Sequence, residues 1–402
     1  MDLSYSAEYE QFRTEVQRFL REHWSEEDAN SGPPPNPRAA MMGAVLRTDA
    51  RATEFRIAAI EHGYLYRHIP RRYGGGEQPA DPLKSVIVGE EFRKARAPAE
   101  VVGQGPSMLA PTLVEHGTEE QKQQFIRDTL LGKISWCQGY SEPGSGSDLA
   151  SLRTRAELQG DFWVINGQKI WTSGAQFAHW MFMMARTDPD APKHKGISYF
   201  LVDMKSPGIT VRPLTNLANQ NMFNEVFFED VRVPARNLVG ELNRGWYIGT
   251  TTLDFERSSI GSAVGIRLQL DGLVQYAKEH EKDGTSRTGY MTSLKTELAD
   301  RYVEANVARL MSYRVVTMQA KGMVPNHEAS MTKLFASELS QRIARTGMKV
   351  LGLYGQVFGD DAPMKGRYES SYMTSLSSTI AGGTSEIQRN IIATRGLGLP
   401  RD

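Results

Sequence analysis

The hydrophobic period of this chain changes twice along its length, and those two changes restrict the folds open to it. Up to about residue 133 apolar positions recur every three to four residues. Tyr9, Phe12, Val16, Phe19 and Leu20 set one helical stripe within 5–24. Further helices are predicted over 39–62, 82–96, 106–116 and 118–131. The Gly/Pro-rich run from Ser31 to Pro37 separates the first two, and Gly63 supplies a C-terminal stop. Thr118-Glu119-Glu120-Gln121 reads as a capping box. From Ile134 the period becomes two. Strands are predicted over 134–141, 153–159, 162–171, 179–187, 196–204, 208–215 and 225–233, with turn signals such as Gln159-Gly160-Asp161 and Ser206-Pro207-Gly208 between them. After Gly240 the helical period returns, with helices predicted over 244–281, 289–322, 328–358 and 385–395. On 289–322, Leu294, Leu298, Tyr302, Ala305, Leu310 and Val315 mark the expected core stripe. The pattern predicts an α+β molecule. It has an N-terminal all-helical domain over 1–133, a small antiparallel β domain over 134–240 and a C-terminal four-helix bundle over 241–402.

Composition narrows the function. A chain of 402 residues is too long for one simple core. Lys+Arg and Asp+Glu both number 47, so no net field attracts nucleic acid or an anionic membrane. The single cysteine, Cys137, excludes an internal disulfide and a zinc cluster, and its apolar surroundings mark it as core filler. No metal site is expected. No apolar run is long enough to span a bilayer, and the N-terminus carries neither a signal nor a transit pattern, so a cytoplasmic protein is expected.

Two polar loops carry the chemistry. The first is Tyr140-Ser141-Glu142-Pro143-Gly144-Ser145-Gly146-Ser147-Asp148. The second is Asn166-Gly167-Gln168-Lys169-Ile170-Trp171-Thr172-Ser173-Gly174, and a predicted hairpin lies between them. Gly144 and Gly146 let the backbone approach a ligand. Ser141, Ser147, Thr172 and Ser173 supply hydroxyls, and Trp171 a flat face. Neither loop has the spacing of a Walker or a Rossmann phosphate turn. The pair resembles the flavin-binding segment of the acyl-CoA dehydrogenases. The resemblance extends to Pro70-Arg71-Arg72-Tyr73-Gly74-Gly75 and to the helical, β, helical order of the whole chain. It implies FAD as cofactor, lined by Gln138, Tyr140, Ser141, Gly146, Ser147, Trp171, Thr172 and Ser173.

A second stretch, Ile380-Ala381-Gly382-Gly383-Thr384-Ser385-Glu386-Ile387-Gln388-Arg389, runs from a glycine pair into a helix. Ser385 and Gln388 are expected to cap it, with free amides beside a phosphate. By resemblance Thr384 and Glu386 contact the adenine side of FAD. Many members of the family place their catalytic glutamate where this chain has Gly382. A minority place it on the first bundle helix, and here that helix carries Leu253-Asp254-Phe255-Glu256-Arg257. Helical spacing puts Leu253, Glu256, Ile260 and Val264 on one face, and a carboxylate on an apolar stripe is costly unless paired, protonated or functional. Glu256 is therefore the expected base. Ser147, Asp254, Arg257, Gly382 and Gly383 are expected at the CoA ester, with the Gly382 amide able to hydrogen-bond the developing enolate.

The resemblance has gaps. Homotetrameric members carry an Arg-x-x-Phe-Gly run that reaches a neighbour's FAD; here the run is His280-Glu281-Lys282-Asp283-Gly284. Leu353 stands where a glycine is usual. Trp136-Cys137-Gln138-Gly139-Tyr140-Ser141, Lys193-His194-Lys195-Gly196-Ile197-Ser198 and Gly396-Leu397-Gly398-Leu399-Pro400-Arg401 resemble the catalytic subunits of bacterial heteromeric enzymes. Those include the pimeloyl-CoA dehydrogenase large subunit and actinobacterial steroid side-chain enzymes. The expected activity is conversion of an acyl-CoA to its trans-2-enoyl-CoA, with electrons passed to an electron-transfer flavoprotein. The expected assembly is a homotetramer or an α2β2 heterotetramer. Two other readings stay open. One is an acyl-CoA oxidase, set second because those enzymes usually add a C-terminal domain and the sequence ends at Asp402, or another flavin oxidase of this fold, which retention of Glu256 and Arg257 opposes. The other is a non-catalytic partner subunit, which Gly382 favours and Glu256 opposes.

Overall fold

The structure, a computed structural model, describes residues 6–31, 49–257, 261–282, 286–321, 323, 325–359 and 361–400, with the backbone alone at 82, 254–257, 261–264, 319 and 320. These residues divide into two compact units. One holds the chain up to Asn216 together with Asn221–Phe255; the other holds Leu217–Gln220 and everything from Glu256 onward.

In the first unit, helices Ala7–His23, Glu26–Asn30, Ala50–Glu61, Pro82–Lys94, Ala110–His116 and Glu119–Leu130 precede the sheet. The part of the predicted 39–62 helix before Asp49 lies outside the described residues. Asp49 caps the remainder by accepting from the Ala52 amide at 2.8 Å. The expected capping box at Thr118 forms in both directions, at 3.2 Å and 3.1 Å. Gln121 then uses its Nε2 to donate to the carbonyls of Arg236 and Leu238, both at 2.8 Å. One side chain thus closes a helix and fastens it beside the sheet.

The strands are β1 (Trp136–Gly139), β2 (Arg155–Gln159), β3 (Phe162–Lys169), β4 (Trp180–Arg186), β5 (Ile197–Asp203), β6 (Ile209–Leu214), β7 (Phe223–Pro234) and β8 (Leu238–Val239). They run in the order β6-β7-β3-β2-β4-β5-β8, with β1 also on β4. Most pairings are antiparallel, as expected, but β1 and β2 both meet β4 in parallel. Met181 to Ala185 are fully buried because β4 is covered on both faces. One face packs on the helices: Phe182, Tyr199 and Leu201 share an apolar core with Phe19, Phe55 and Phe125. The other face has its own core around Met181, Met183, Phe200 and Val226. β1 lies so close to β4 that a Cβ on Gly139 would stand 2.4 Å from Met181 Sδ. Cys137 is fully buried in that second core, and burial pushes its thiol far above the ordinary range, so it is inert filler.

The second unit contains helices Gly261–Glu279, Thr292–Ala320, His327–Leu351, Arg367–Ser378 and Ser385–Ile391. Of the predicted 244–281 helix, Gly245–Arg257 and Gly261–Glu279 are helical, and residues 258–260 between them lie outside the described residues. The predicted 328–358 helix stops at Leu351, where Gly352 takes φ +58°. The helix Arg367–Ser378 is not expected from the sequence. It is anchored by Tyr368, whose hydroxyl donates to Gln269 O at 2.6 Å and whose ring leaves no room for a Cβ at Gly347. On Thr292–Ala320, Leu294, Leu298, Ala305 and Val315 are buried as expected. Tyr302 and Leu310 instead face outward, and Ala308 and Ser312 take core positions.

Candidate active site

The two polar loops meet at one end of the β2–β3 hairpin. The Ile170 amide donates to Ser141 O at 2.9 Å. Behind that contact is a buried ion pair that sequence reasoning did not single out. Lys169, with 0% exposure, donates from Nζ to Glu142 Oε1 at 2.8 Å and to Tyr140 O at 3.1 Å. Glu142 also accepts from the amides of Arg153 at 2.6 Å and Thr154 at 2.9 Å. Burial alone would raise the Glu142 carboxyl, but the Lys169 charge and these donors hold it below the usual carboxylate range. Burial lowers Lys169, with the Glu142 charge opposing the shift. Lys169 sits on the inward side of the β3 alternation with Trp163 and Ile165. A lysine on an apolar face requires a buried counter-charge, and that signal was legible in the sequence.

The loop tips expose one large ring and leave open space at two glycines. Trp171 is 61% exposed and has φ +61°, a strained setting for a bulky residue. Its neighbours hold it there: the Thr172 amide donates to Asn224 O at 3.0 Å, and Asn224 Nδ2 donates back to Thr172 O at 2.9 Å. Thr172 Oγ1, Gln138 Nε2 and Asn224 Oδ1 are buried with no hydrogen-bond partner among the described residues. A Cβ at Gly144 or Gly146 would meet open space, and Ser147 is exposed beside them. Ser141 and Ser173 are half-buried. The Tyr140 ring is turned into the core against Phe182 and Tyr199, so Tyr140 joins the loop through its backbone carbonyl.

From Tyr140 a chain of hydroxyls leads to the helix Gly245–Arg257. Tyr140 and Tyr199 are 3.4 Å apart, Tyr199 and Thr252 3.3 Å, and Thr252 and Thr112 3.0 Å. Thr252 lies one turn before Glu256. Asp254, Glu256 and Arg257 occupy the last turn of this helix, and their side chains lie outside the described residues.

In the second unit, the glycine turn has φ +65° at Gly382 and +91° at Gly383. Gln388 Nε2 donates to Gly382 O at 2.9 Å, and Lys333 Nζ to Gly383 O at 2.5 Å. Both carbonyls are thus drawn into the protein. The cap differs from expectation: Thr384, not Ser385, accepts from the Ile387 amide at 3.2 Å. Ser385 Oγ and Gln388 Oε1 are buried without a partner among the described residues. Thr384, Ser385 and Glu386 line a cleft of about 540 Å³ with Arg342, Arg345 and Arg389. No cluster of His, Cys, Asp and Glu among the described residues fits a metal ion.

Three family models match the chain in order: "Acyl-CoA dehydrogenase, N-terminal domain" over 6–133, "middle domain" over 137–231 and "C-terminal domain" over 243–397. The chain belongs to the acyl-CoA dehydrogenase family. Acyl-CoA dehydrogenase IpdE1 of Mycobacterium tuberculosis is 35% identical over 98% of each chain. Acyl-CoA dehydrogenase FadE34 of the same organism is 37% identical over 90% of this chain, which spans 49% of that protein's length. Among solved structures, the Tcur3481-Tcur3483 steroid ACAD superposes with TM-score 0.79 at 30% identity over all of both chains. The ChsE4-ChsE5 complex from Mycobacterium tuberculosis gives 0.77 at 32%, again over all of both. The expected three-part fold is that of the acyl-CoA dehydrogenases, and the protein is an oxidoreductase of that family.

Proposed function

We propose that this acyl-CoA dehydrogenase is the catalytic subunit of a FAD-dependent enzyme that converts an acyl-CoA thioester to the trans-2-enoyl-CoA. The observation that carries the flavin reading is a pair of buried polar atoms with no hydrogen-bond partner among the described residues, Gln138 Nε2 and Thr172 Oγ1, the second of them next in sequence to the exposed Trp171. Buried polar groups are normally satisfied, so these await a ligand with donors and acceptors on its edge. Gln138, Ser141, Gly146, Ser147, Trp171, Thr172 and Ser173 would hold the ring system. Thr384 and Glu386, beside the partnerless Ser385 Oγ, would hold the adenine side. The bound flavin supplies the hydride acceptor.

The chain's own part is the proton. Glu256 takes the proton next to the thioester carbonyl, a carboxylate serving there as general base. The amide of Gly382 donates to the carbonyl oxygen as enolate charge develops, and its glycine keeps this donor where many relatives carry a side chain. Ser147, Asp254, Arg257 and Gly383 position the ester. Electrons leave to an electron-transfer flavoprotein. The structural likeness to the ChsE4-ChsE5 complex and the altered run at His280 support an α2β2 assembly with a homologous subunit.

The test is Glu256→Gln in the yellow, flavin-loaded enzyme, presented anaerobically with a panel of straight-chain, dicarboxylic and steroid acyl-CoAs. Substrate-dependent bleaching of the parent is expected to fall at least about a thousandfold, while flavin content is unchanged. Bleaching at the parental rate would remove Glu256 from the role and favour the partner-subunit reading.

A further inference from the structure

The line of hydroxyls that leads from Tyr140 has no role in the reading above. Its four members come from four elements: Tyr140 after β1, Tyr199 on β5, Thr252 on helix Gly245–Arg257 and Thr112 on helix Ala110–His116. Tyr140 is 5% exposed and the other three 0%. The hydrogens in this line run one way. Thr112 Oγ1 donates to Met108 O at 2.7 Å and Thr252 Oγ1 to Ile248 O at 3.0 Å, and the two hydroxyls are 3.0 Å apart. Their two hydrogens go to those carbonyls or to each other, and none is left for Tyr199. Tyr199 therefore donates to Thr252 at 3.3 Å and accepts from Tyr140 at 3.4 Å. Burial keeps the Tyr199 phenol well above its ordinary range, so it stays a donor. Its ring is stacked on Phe182, with planes 5° apart, which gives the hydroxyl a fixed place. The two links at Tyr199 are the longer ones, so the line opens there with least disturbance.

The helix Gly245–Arg257 gives the line its purpose. Gly245, Gly249, Thr252 and Glu256 follow one another at four, three and four residues and so share one face. Along that face the helix lies close on the sheet: a Cβ at Gly245 would stand 2.3 Å from Ser198 C, and one at Gly249 2.6 Å from Met184 Sδ. Glycines allow the approach but supply no ridge to fix the register. Thr252 supplies it. Tyr199 holds its hydroxyl from the sheet and Thr112 from helix Ala110–His116, and beside it Thr251 Oγ1 is 3.1 Å from His116 Nε2. At the other end of the line, Tyr140 O accepts from Lys169 Nζ at the meeting of the two polar loops. Apolar side chains of the same shape would fill these four places without loss of packing, so the hydroxyls contribute register rather than cohesion.

We propose that Tyr199 is a positioning residue for the dehydrogenation: through Thr252 its hydroxyl sets the register of the helix that carries Glu256, and through Tyr140 it refers that register to the loop pair. The inference rests on the Glu256 reading above and adds what holds that helix in place. A reacting group displaced by about 1 Å can lose about a hundredfold in rate, so a loosened register shows in the proton step.

The experiment uses the flavin-loaded enzyme, with its homologous subunit where flavin retention needs it, and an acyl-CoA that bleaches the parent. Tyr199→Phe removes one oxygen and keeps the stacked ring. Its bleaching rate at saturation is expected to fall at least about tenfold, with half-saturation within about twofold of the parent and flavin content unchanged. The isotope effect from substrate deuterated next to the carbonyl should rise, because proton removal becomes the slower step. Thr252→Val should act alike, and Thr252→Ser should recover most of that rate. Tyr199→Phe added to Thr252→Val should lose no more than Thr252→Val alone, since both break the same link. Amide exchange over 253–257 should quicken in Tyr199→Phe, while exchange in helix Glu119–Leu130 stays parental. The proposal is overturned if Tyr199→Phe bleaches within twofold of the parent, if its loss lies in half-saturation alone, or if Thr252→Ser falls with Thr252→Val. Parental bleaching by Glu256→Gln overturns the base reading and this proposal with it. An inactive Glu256→Gln beside a parental Tyr199→Phe overturns this proposal alone.

Discussion

Lys169 and Glu142 hold opposite charges out of water at the point where the two loops touch. Removing one partner leaves an uncompensated buried charge, which costs about 3–5 kcal/mol, whereas replacing both is far milder. Lys169→Met is therefore expected to lower the denaturation midpoint sharply, and Glu142→Gln added to it to recover much of the loss; a double-mutant cycle by urea titration measures this. The pair also sets a pH dependence. The folded carboxyl of Glu142 is depressed, so its contribution is complete above the unfolded value of about 4.3 and is lost as pH falls through the folded one. The gap in thermal midpoint between parent and Glu142→Gln should accordingly narrow from about pH 6 to pH 3. A constant gap would assign the effect to packing. At Trp171 the strained φ was not legible, because it comes from the Asn224 hydrogen bonds across the sheet and not from local sequence.

Elements were legible where one physical signal dominated. Strands β2 to β7 show clean alternation or unbroken apolar runs, and their observed ends fall close to the predicted ones. The capping box at Thr118 was readable because its reciprocal bonds are local. The second linkage of Gln121, to the chain after β7, depends on tertiary placement and was not. Gln121→Ala is expected to cost about 1–3 kcal/mol, more than a surface cap, since two part-buried carbonyls lose their donor; chemical denaturation reads this. The helix Arg367–Ser378 escaped prediction because Tyr368 is its one buried residue and serines fill much of the rest. Of the candidate site, the two loops and the glycine turn were visible as residue types needing special backbone or hydroxyl chemistry. Lys169 on the inward side of β3 signalled a buried counter-charge, but the choice of Glu142 to supply it and the shift of the cap from Ser385 to Thr384 depend on three-dimensional fit.

At the scale of the molecule, the question is what completes the adenine side. Helix Thr292–Ala320 leaves Val303, Val307 and Leu310 exposed, and Leu353 and Phe358 are exposed as well. No helix among the described residues is long and apolar enough to cross a membrane. If the proposed homologous subunit completes the site, the chain produced alone is expected to lose flavin on gel filtration and to regain one flavin per pair when that subunit is added. A yellow homotetramer with one flavin per chain would instead assign the adenine contacts to this chain. The loop pair leads to a further consequence, one of timing. Its ion pair and backbone bonds lie wholly within this chain, so in the proposed flavin site the ring side is held by the chain's own contacts. Little ordering then remains for that half on binding. The rate of reconstitution should follow the concentration of the second subunit, and the enzyme would gain its colour at the pace of its assembly.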